Sequence, residues 1–277
     1  MTSVPTIALN NGVTIPQLGY GTFQIPPAET KDAVLTALEV GYRHIDTAQG
    51  YANEQGVGDA LAASGLARDE VFVTSKLNNT HQTPEAALES FDRTLEALGS
   101  DHVDLFLIHW PLPTVSDYVA RWRTLEEIYA SGRARAIGVS NFQVPHLERL
   151  LAETTVVPAV NQIEVHPYLV NDEVRAADAR LGIATEAWSP IAKGEVLSDP
   201  VVQRVAAATG RTPAQVVLRW HVQRGDIVFP KSVTRSRIEE NLAIFDFELS
   251  ATDMAALTAL DRGHRTGPDP DTFAYVG

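Results

Sequence analysis

The chain has 277 residues, room for one large or two ordinary domains, and 44% of them are hydrophobic, so it can bury a sizeable core. Its 22 Lys and Arg stand against 35 Asp and Glu, a net charge of -13 that disfavours nucleic-acid and anionic-membrane partners and favours small ligands. It has no cysteine, which excludes disulfides, thiolate catalysis and thiolate-based zinc sites. The opening Met1-Thr2-Ser3-Val4-Pro5 lacks a charged-then-apolar secretory pattern, and no unbroken apolar run is long enough to span a bilayer. A cytoplasmic protein is expected. The acidic surface shows no obvious apolar interface run, so the expected state is a monomer.

Read in chain order, Thr6–Leu9 and Val13–Ile15 flank Asn10-Asn11-Gly12 and predict a β-hairpin that caps one end of the repeating part of the chain. Strand-like and helix-like runs then alternate. The predicted strands are Leu18–Phe23, His44–Ala48, Val71–Leu77, Asp104–Trp110, Ala136–Asn141, Ala159–Glu164, Ala184–Pro190 and Ile227–Ser232. Between them, Thr30–Val40 predicts a helix that stops at Gly41. Thr83-Pro84 opens another, with Leu88, Phe91, Leu95 and Leu98 on one face and a stop at Gly99. Thr212-Pro213 with Gln215 forms a capping-box start, and Ser250 with Asp253 opens a last helix presenting Met254, Leu257 and Leu260. The strands are near-continuous apolar runs, as expected where both faces are covered.

Eight such units with no linker predict one (β/α)₈ TIM barrel over residues 1–277, with an N-terminal β-hairpin cap. The competing architecture is an open doubly wound sheet, whose dinucleotide fingerprint should follow a strand directly. Here the nearest string, Gly56-Val57-Gly58-Asp59-Ala60-Leu61, lacks the third glycine and lies in a helical run.

Barrel active sites gather at the C-terminal ends of the strands. Those ends read Asp46, Lys76, His109, Ser140-Asn141, Gln162-Ile163-Glu164, Trp188-Ser189 and Lys231-Ser232. A lone polar residue at a strand end is commonly structural. Recurrence at the same end, strand after strand, is not explained that way. Asp46 ends an apolar strand and needs a partner, because a bare buried carboxylate is expensive.

Lys76 is the right partner, and Tyr51 follows Asp46 in a tight turn. An ammonium about 4 Å from a phenol, at an effective dielectric near 20, interacts by roughly 4 kcal/mol, enough to lower the Tyr51 pKa by about three. With His109 hydrogen-bonding a substrate oxygen, this set suits reduction of a carbonyl, where a developing alkoxide must be protonated. Taken alone, Tyr51 reads as an aromatic packed over the helix 53–64, and Trp188 as barrel core. Hydrolytic metal chemistry is disfavoured, since no two histidines form the His-x-His pair common at strand ends of metallohydrolases; no metal site is expected. His166 reads as structural, with no chemical partner.

Several stretches together resemble the aldo-keto reductase family, and the likeness covers nearly the whole chain. They are Gly41–Tyr51 with Asn53-Glu54 and Val57-Gly58, Val71–Lys76, Val103–Pro111, Ala136–Phe142, Pro158–Pro167, and Phe229–Ser232 with Arg237 and Glu240-Asn241. The chain is most similar in kind to the prokaryotic group that includes 2,5-diketo-D-gluconate reductase. The resemblance implies a catalytic tetrad of Asp46, Tyr51, Lys76 and His109, with Tyr51 as general acid, and NADPH/NADP+ bound without a Rossmann domain. It further implies that Ser140, Asn141 and Gln162 hold the carboxamide, that Trp188 stacks on the nicotinamide and that Ser189 lies near the pyrophosphate. Lys231, Ser232 and Arg237 would meet the 2′-phosphate, with Glu240 and Asn241 at the adenine.

The residues add their own support for NADPH over NADH: Lys231, Arg235 and Arg237 form a basic cluster in an acidic chain. Phe23 and Trp110 are the expected substrate-lining residues for a small carbonyl compound. The tail 262–277, with Gly267-Pro268-Asp269-Pro270-Asp271, is expected to be an irregular lid. Where related reductases often carry an aromatic after Lys76-Leu77, this chain has Asn78-Asn79, which removes a pocket wall or makes it more polar. An NADPH-sensing binding protein on the same fold is the alternative, since folds host many functions.

Overall fold

The computed structural model describes residues 4–276. Strands β1 (Thr6–Ala8) and β2 (Thr14–Pro16) pair antiparallel as the expected hairpin, turning at Gly12, where φ is +86°. Eight parallel strands come next, in chain order along one sheet. They are β3 (Tyr20–Gly21), β4 (His44–Asp46), β5 (Phe72–Leu77), β6 (Val103–Ile108), β7 (Ala134–Ser140), β8 (Val160–Glu164), β9 (Ala184–Trp188) and β10 (Ile227–Val228). The sheet closes on itself. Leu18 bridges Val228 in parallel, Gly19 N–H donates to Val228 O at 2.7 Å and Val228 N–H donates to Gln17 O at 3.0 Å.

Helices α1 (Pro27–Val40), α2 (Glu54–Ala63), α3 (Pro84–Leu98), α4 (Tyr118–Ala130), α5 (Val144–Glu153), α6 (Asp172–Leu181), α7 (Pro200–Thr209), α8 (Pro213–Arg224), α9 (Arg235–Leu242) and α10 (Ala251–Thr258) complete the chain. The (β/α)₈ barrel with its hairpin cap is therefore borne out. The predicted caps form as well: Thr83 Oγ accepts from Ala86 N–H at 3.2 Å, and Thr212 and Gln215 cap each other reciprocally. Ser250 Oγ accepts from Asp253 N–H at 3.1 Å. Helix α1 starts three residues before the expected Thr30, because Pro27 at its first position has no N–H to leave unpaired. The string at Gly56 lies inside α2, and Gly58 serves packing: a Cβ there would run into the backbone of Ala97 and Leu98 on α3.

Alternation along the strands makes two apolar layers. Outward residues such as Val73, Phe106, Ile108, Val139 and Ile163 pack under the helices. Inward residues Phe72, Leu105, Leu107, Ala136, Val160 and Ile227 form a separate cluster with Leu9 and Ile15 of the hairpin segment. Asn10 and Asn11 fasten that hairpin to Pro158 O and Arg135 O, both at 2.9 Å, so it plugs the end where the strands begin.

Several strands stop short of the predicted ends, and the cause is local. Asn141 (φ +66°) and Ser189 (φ +49°) turn into the left-handed region directly after β7 and β9 and take the chain off the ladder. The polar residues of the open end sit at or just past these stops.

Candidate active site

Five strands, β4, β5, β7, β8 and β9, aim polar side chains into the open end of the barrel. Lys76 of β5 is fully buried, and its Nζ donates to Asp46 Oδ1 at 2.7 Å, to Thr47 O at 2.9 Å and to the Tyr51 hydroxyl at 3.3 Å. Asp46 ends β4, and the short 3₁₀ turn Gln49–Tyr51 brings the phenol back over the lysine. The Tyr51 ring meets His109 edge-on at 5.6 Å between centroids and Phe23 at 5.0 Å. Thus Asp46, Lys76, Tyr51 and His109, drawn from separate parts of the chain, lie together.

Electrostatics at this cluster follows from burial against pairing. For Lys76, burial opposes the charge, but the Asp46 carboxylate, Tyr51 and their hydrogen bonds outweigh it and hold the ammonium above the usual lysine pKa. Tyr51 departs from the sequence expectation. Desolvation raises its pKa, Lys76 lowers it and Asp46 raises it again, and the net direction is up. The expected drop neglected the cost of burying a phenolate, and it neglected Asp46, which neutralises much of the field of Lys76. His109 is pushed down to about 3, first by burial and then by the cations Lys76 and Arg121, so its imidazole is neutral at ordinary pH.

Beside the tetrad, Gln162 of β8 donates from Nε2 to Asp46 Oδ2 at 2.9 Å and to Glu186 Oε2 of β9 at 2.7 Å. Ser140 Oγ donates to Gln162 O at 2.8 Å, and Asn141 Nδ2 donates to His109 O at 3.0 Å. Trp188 Nε1 donates to Asn141 Oδ1 at 2.8 Å, which fixes the half-buried indole at the mouth. Ser189 comes next, in the left-handed turn. Ser140, Asn141, Gln162, Trp188 and Ser189 are therefore contiguous with the tetrad.

Farther round the rim, Lys231 and Arg237 are exposed, whereas Ser232 and Asn241 are buried. Among the described residues, neither Lys231 nor Arg237 has a carboxylate within ion-pair distance. Arg235 does: it pairs with Glu39 at 2.8 Å and Glu239 at 3.0 Å, so it belongs to a surface ion-pair group and leaves the expected basic cluster. Glu240 is half-buried and accepts from Thr212 Oγ at 2.7 Å.

The tail crosses the mouth without helical structure, as its composition predicted. Glu164 Oε1 accepts from both Thr266 N–H and Thr266 Oγ at 2.6 Å, and Lys193 Nζ donates to Thr266 O at 2.6 Å. Gly267 lies against the Trp188 ring so closely that a Cβ would collide with it. Phe273 then packs on Trp110 at 4.5 Å, and Trp110 lies 6.5 Å from Trp188. Asn79 is buried and donates to Tyr275 O at 3.1 Å, so the polar loop after β5 is a seat for the tail.

His166, expected to lack a chemical partner, has one: its Nε2 lies 3.2 Å from Glu164 Oε1. The sequence pattern also left Glu186 and Arg121 unassigned. Glu186 carried a signal, an acid two residues before Trp188 in an apolar strand. Arg121, buried with Nη2 donating to Trp110 O at 2.6 Å, sits on a helix face and gave none.

Comparison with known proteins converges on one family. Residues 17–262 match the aldo/keto reductase family. An aldo-keto reductase of Mycolicibacterium smegmatis is 50% identical over 273 residues, covering 99% of each chain. A methylglyoxal reductase, DkgA, of Yersinia pestis is 50% identical over 276 residues with the same coverage. The crystal structure of a mutant of Gox0644 in complex with NADPH superposes with a TM-score of 0.95 at 44% identity, over 99% of this chain and 100% of that one. With its closed barrel, its hairpin plug and half its residues shared end to end with such relatives, this chain belongs to the aldo/keto reductase family of oxidoreductases.

Proposed function

We propose that the protein is an NADPH-dependent reductase that converts the carbonyl of a small aldehyde, ketone or keto-sugar to an alcohol, with Tyr51 as the proton donor. The observation that carries this reading is Lys76 Nζ, placed between Asp46 Oδ1 and the Tyr51 hydroxyl. Bound NADPH would supply the hydride that adds to the carbonyl carbon. The proton for the oxygen comes from Tyr51, and the phenolate left behind faces the Lys76 ammonium. Because its pKa is raised, Tyr51 stays protonated at working pH and transfers only to a strong base such as a developing alkoxide. Neutral His109 offers a hydrogen bond to the same oxygen without competing for the proton.

The rim fits the cofactor. Gln162 has committed both amide hydrogens, so its Oε1 is left to accept from a carboxamide, alongside Ser140 and Asn141. Trp188 presents an indole held at its nitrogen, suited to stacking on a nicotinamide ring, with Ser189 next to it toward the pyrophosphate. Lys231 and Arg237, free of ion pairs among the described residues, suit a 2′-phosphate beside Ser232, with Glu240 and Asn241 beyond them for the adenine. Phe23 and Trp110 would line the substrate side with Phe273. The Yersinia pestis relative makes methylglyoxal the first substrate to try.

Tyr51→Phe tests the mechanism. Turnover should fall about 10²- to 10⁴-fold, while quenching of tryptophan fluorescence by NADPH persists. Unchanged turnover would refute the assignment. In the same titration, Arg237→Ala should narrow the preference for NADPH over NADH.

A further inference from the structure

Glu186 lies inside the barrel, fully buried, and no step of the proposed reduction uses it. Its Oε2 accepts from Gln162 Nε2 at 2.7 Å, and its buried Oε1 has no hydrogen-bond partner among the described residues. The same Gln162 nitrogen donates its other hydrogen to Asp46 Oδ2. Two carboxyl groups therefore share one amide, and only Asp46 has a cation in contact. An ionised Glu186 would keep one oxygen desolvated and unpaired, with a second carboxylate across the amide. A neutral acid avoids most of that cost. Burial first, and the Asp46 charge second, push the Glu186 carboxyl up to about 8. The charged groups that face it are Asp46 of β4 and Lys76 of β5. Its register neighbours, Gln162 of β8 and Ile227 of β10, carry no charge.

We propose that Glu186 is a positioning residue: as a neutral acid it locks the Gln162 amide with Nε2 turned to Asp46, and so leaves Gln162 Oε1 as the acceptor for a primary carboxamide on the cofactor. The inference rests on the protein's being an NADPH-dependent reductase. Ionisation of Glu186 makes it a stronger acceptor for Gln162 Nε2, draws the amide away from Asp46, misplaces Gln162 Oε1 and weakens cofactor binding. As pH rises through about 8, affinity falls. Inside the barrel the other groups leave this window clear, since His109 titrates far below it and Lys76 and Tyr51 are both shifted upward. Behind β8 and β9, Asp178 of α6, held by Asn161 and Thr185, is pushed up to about 7 by burial, and its titration persists in any Glu186 variant.

The test is the NADPH dissociation constant, read by tryptophan quenching between pH 6.5 and pH 9.5, for wild type, Glu186→Gln and Glu186→Leu. Wild type should weaken by about tenfold across the range, the effect of one coupled ionisation. Glu186→Gln, which keeps the shape and an acceptor oxygen, should match wild type at pH 7 and lose the alkaline limb. Glu186→Leu should also lack the limb but bind several-fold more weakly at every pH, because Gln162 is no longer held. An alkaline limb that survives unchanged in both variants overturns the inference and leaves the reductase reading standing. Absence of NADPH binding by wild type at pH 7 overturns the reductase reading and this inference with it.

Discussion

The two ends of the barrel are built from the same strands and obey opposite rules. At the plugged end, inward positions hold Leu105, Leu107, Ala136, Val160 and Ile227, packed with Leu9 and Ile15 into an apolar core. Two residues farther along the same inward face, Leu107 gives way to His109 and Val160 to Gln162. Each large apolar side chain at the plugged end contributes about 1.5–3 kcal/mol by leaving water. At the open end, a buried ammonium, a carboxylate and a neutral acid contribute little net stability, because desolvation offsets attraction. One end holds the barrel shut; the other uses that rigidity to keep charges buried in a fixed geometry.

The sharpest way to break this contrast is Lys76→Met. It strands the Asp46 carboxylate with only the Gln162 amide for company. Removing one partner of a buried pair costs about 3–5 kcal/mol, so urea unfolding should show a loss of that size together with loss of turnover. The double variant Asp46→Leu/Lys76→Met should regain most of the stability and stay inactive. If the single variant is as stable as wild type, the pair is not buried in solution.

His44 lies between the two ends, with Nδ1 3.3 Å from Pro16 O and Nε2 3.1 Å from Thr74 Oγ. Burial pushes its pKa down to about 4, against weaker upward pulls from Asp46 and Pro16 O. The unfolded chain takes up a proton here near pH 6.5, whereas the folded one waits until about 4. Stability therefore rises with pH across that window, and it falls as pH drops from about 6.5 toward 4. The share due to His44 is on the order of 2–3 kcal/mol. His44→Asn should flatten the acid limb of stability, measured by urea midpoints from pH 7.5 to pH 5, by about one proton. An unchanged slope would show that the histidine is hydrated or already charged in the folded state.

How legible each end was in the sequence follows from the same contrast. The plugged end was legible from periodicity and turn chemistry, since apolar runs, Asn-Gly and the Thr-Pro caps are local signals. At the open end, Asp46, Lys76 and His109 stood out as polar residues ending apolar strands. What the sequence could not carry was the balance of fields: Tyr51 has its pKa raised because burial and Asp46 outweigh Lys76, and no spacing encodes that sum. Arg235 looked like its basic neighbours until Glu39, 196 positions away, proved to hold it. Glu186 and Glu164 were visible as acids, but their partners, Gln162 and Thr266, are set by register across β8 and β9 and by the path of the tail.

That path supplies the mildest test of the contrast, at a place where irregular chain closes the open end. Backbone N–H groups of Arg262 and His264 donate to Tyr168 O at 3.2 and 3.0 Å, Glu164 accepts from Thr266 N–H while Lys193 donates to Thr266 O, and Gly267 then meets Trp188. A methyl group at Gly267 would lie 3.1 Å from Trp188 Cζ3 and closer still to Cη2, so either the tail lifts or the indole tilts. Overpacking of this kind costs about 1–3 kcal/mol in a closed core. Here the tail has solvent to move into, so the cost should shrink to a rise in substrate KM of about two- to fivefold for Gly267→Ala, under about 1 kcal/mol. Turnover at saturation should change less, because Lys76, Tyr51 and His109 stand on the strands and their turns and take no support from the tail. A wild-type KM in this variant would mean that the tail does not bound the carbonyl site in solution. A fall in kcat equal to the rise in KM would instead mean that Trp188 and the tetrad move as one body.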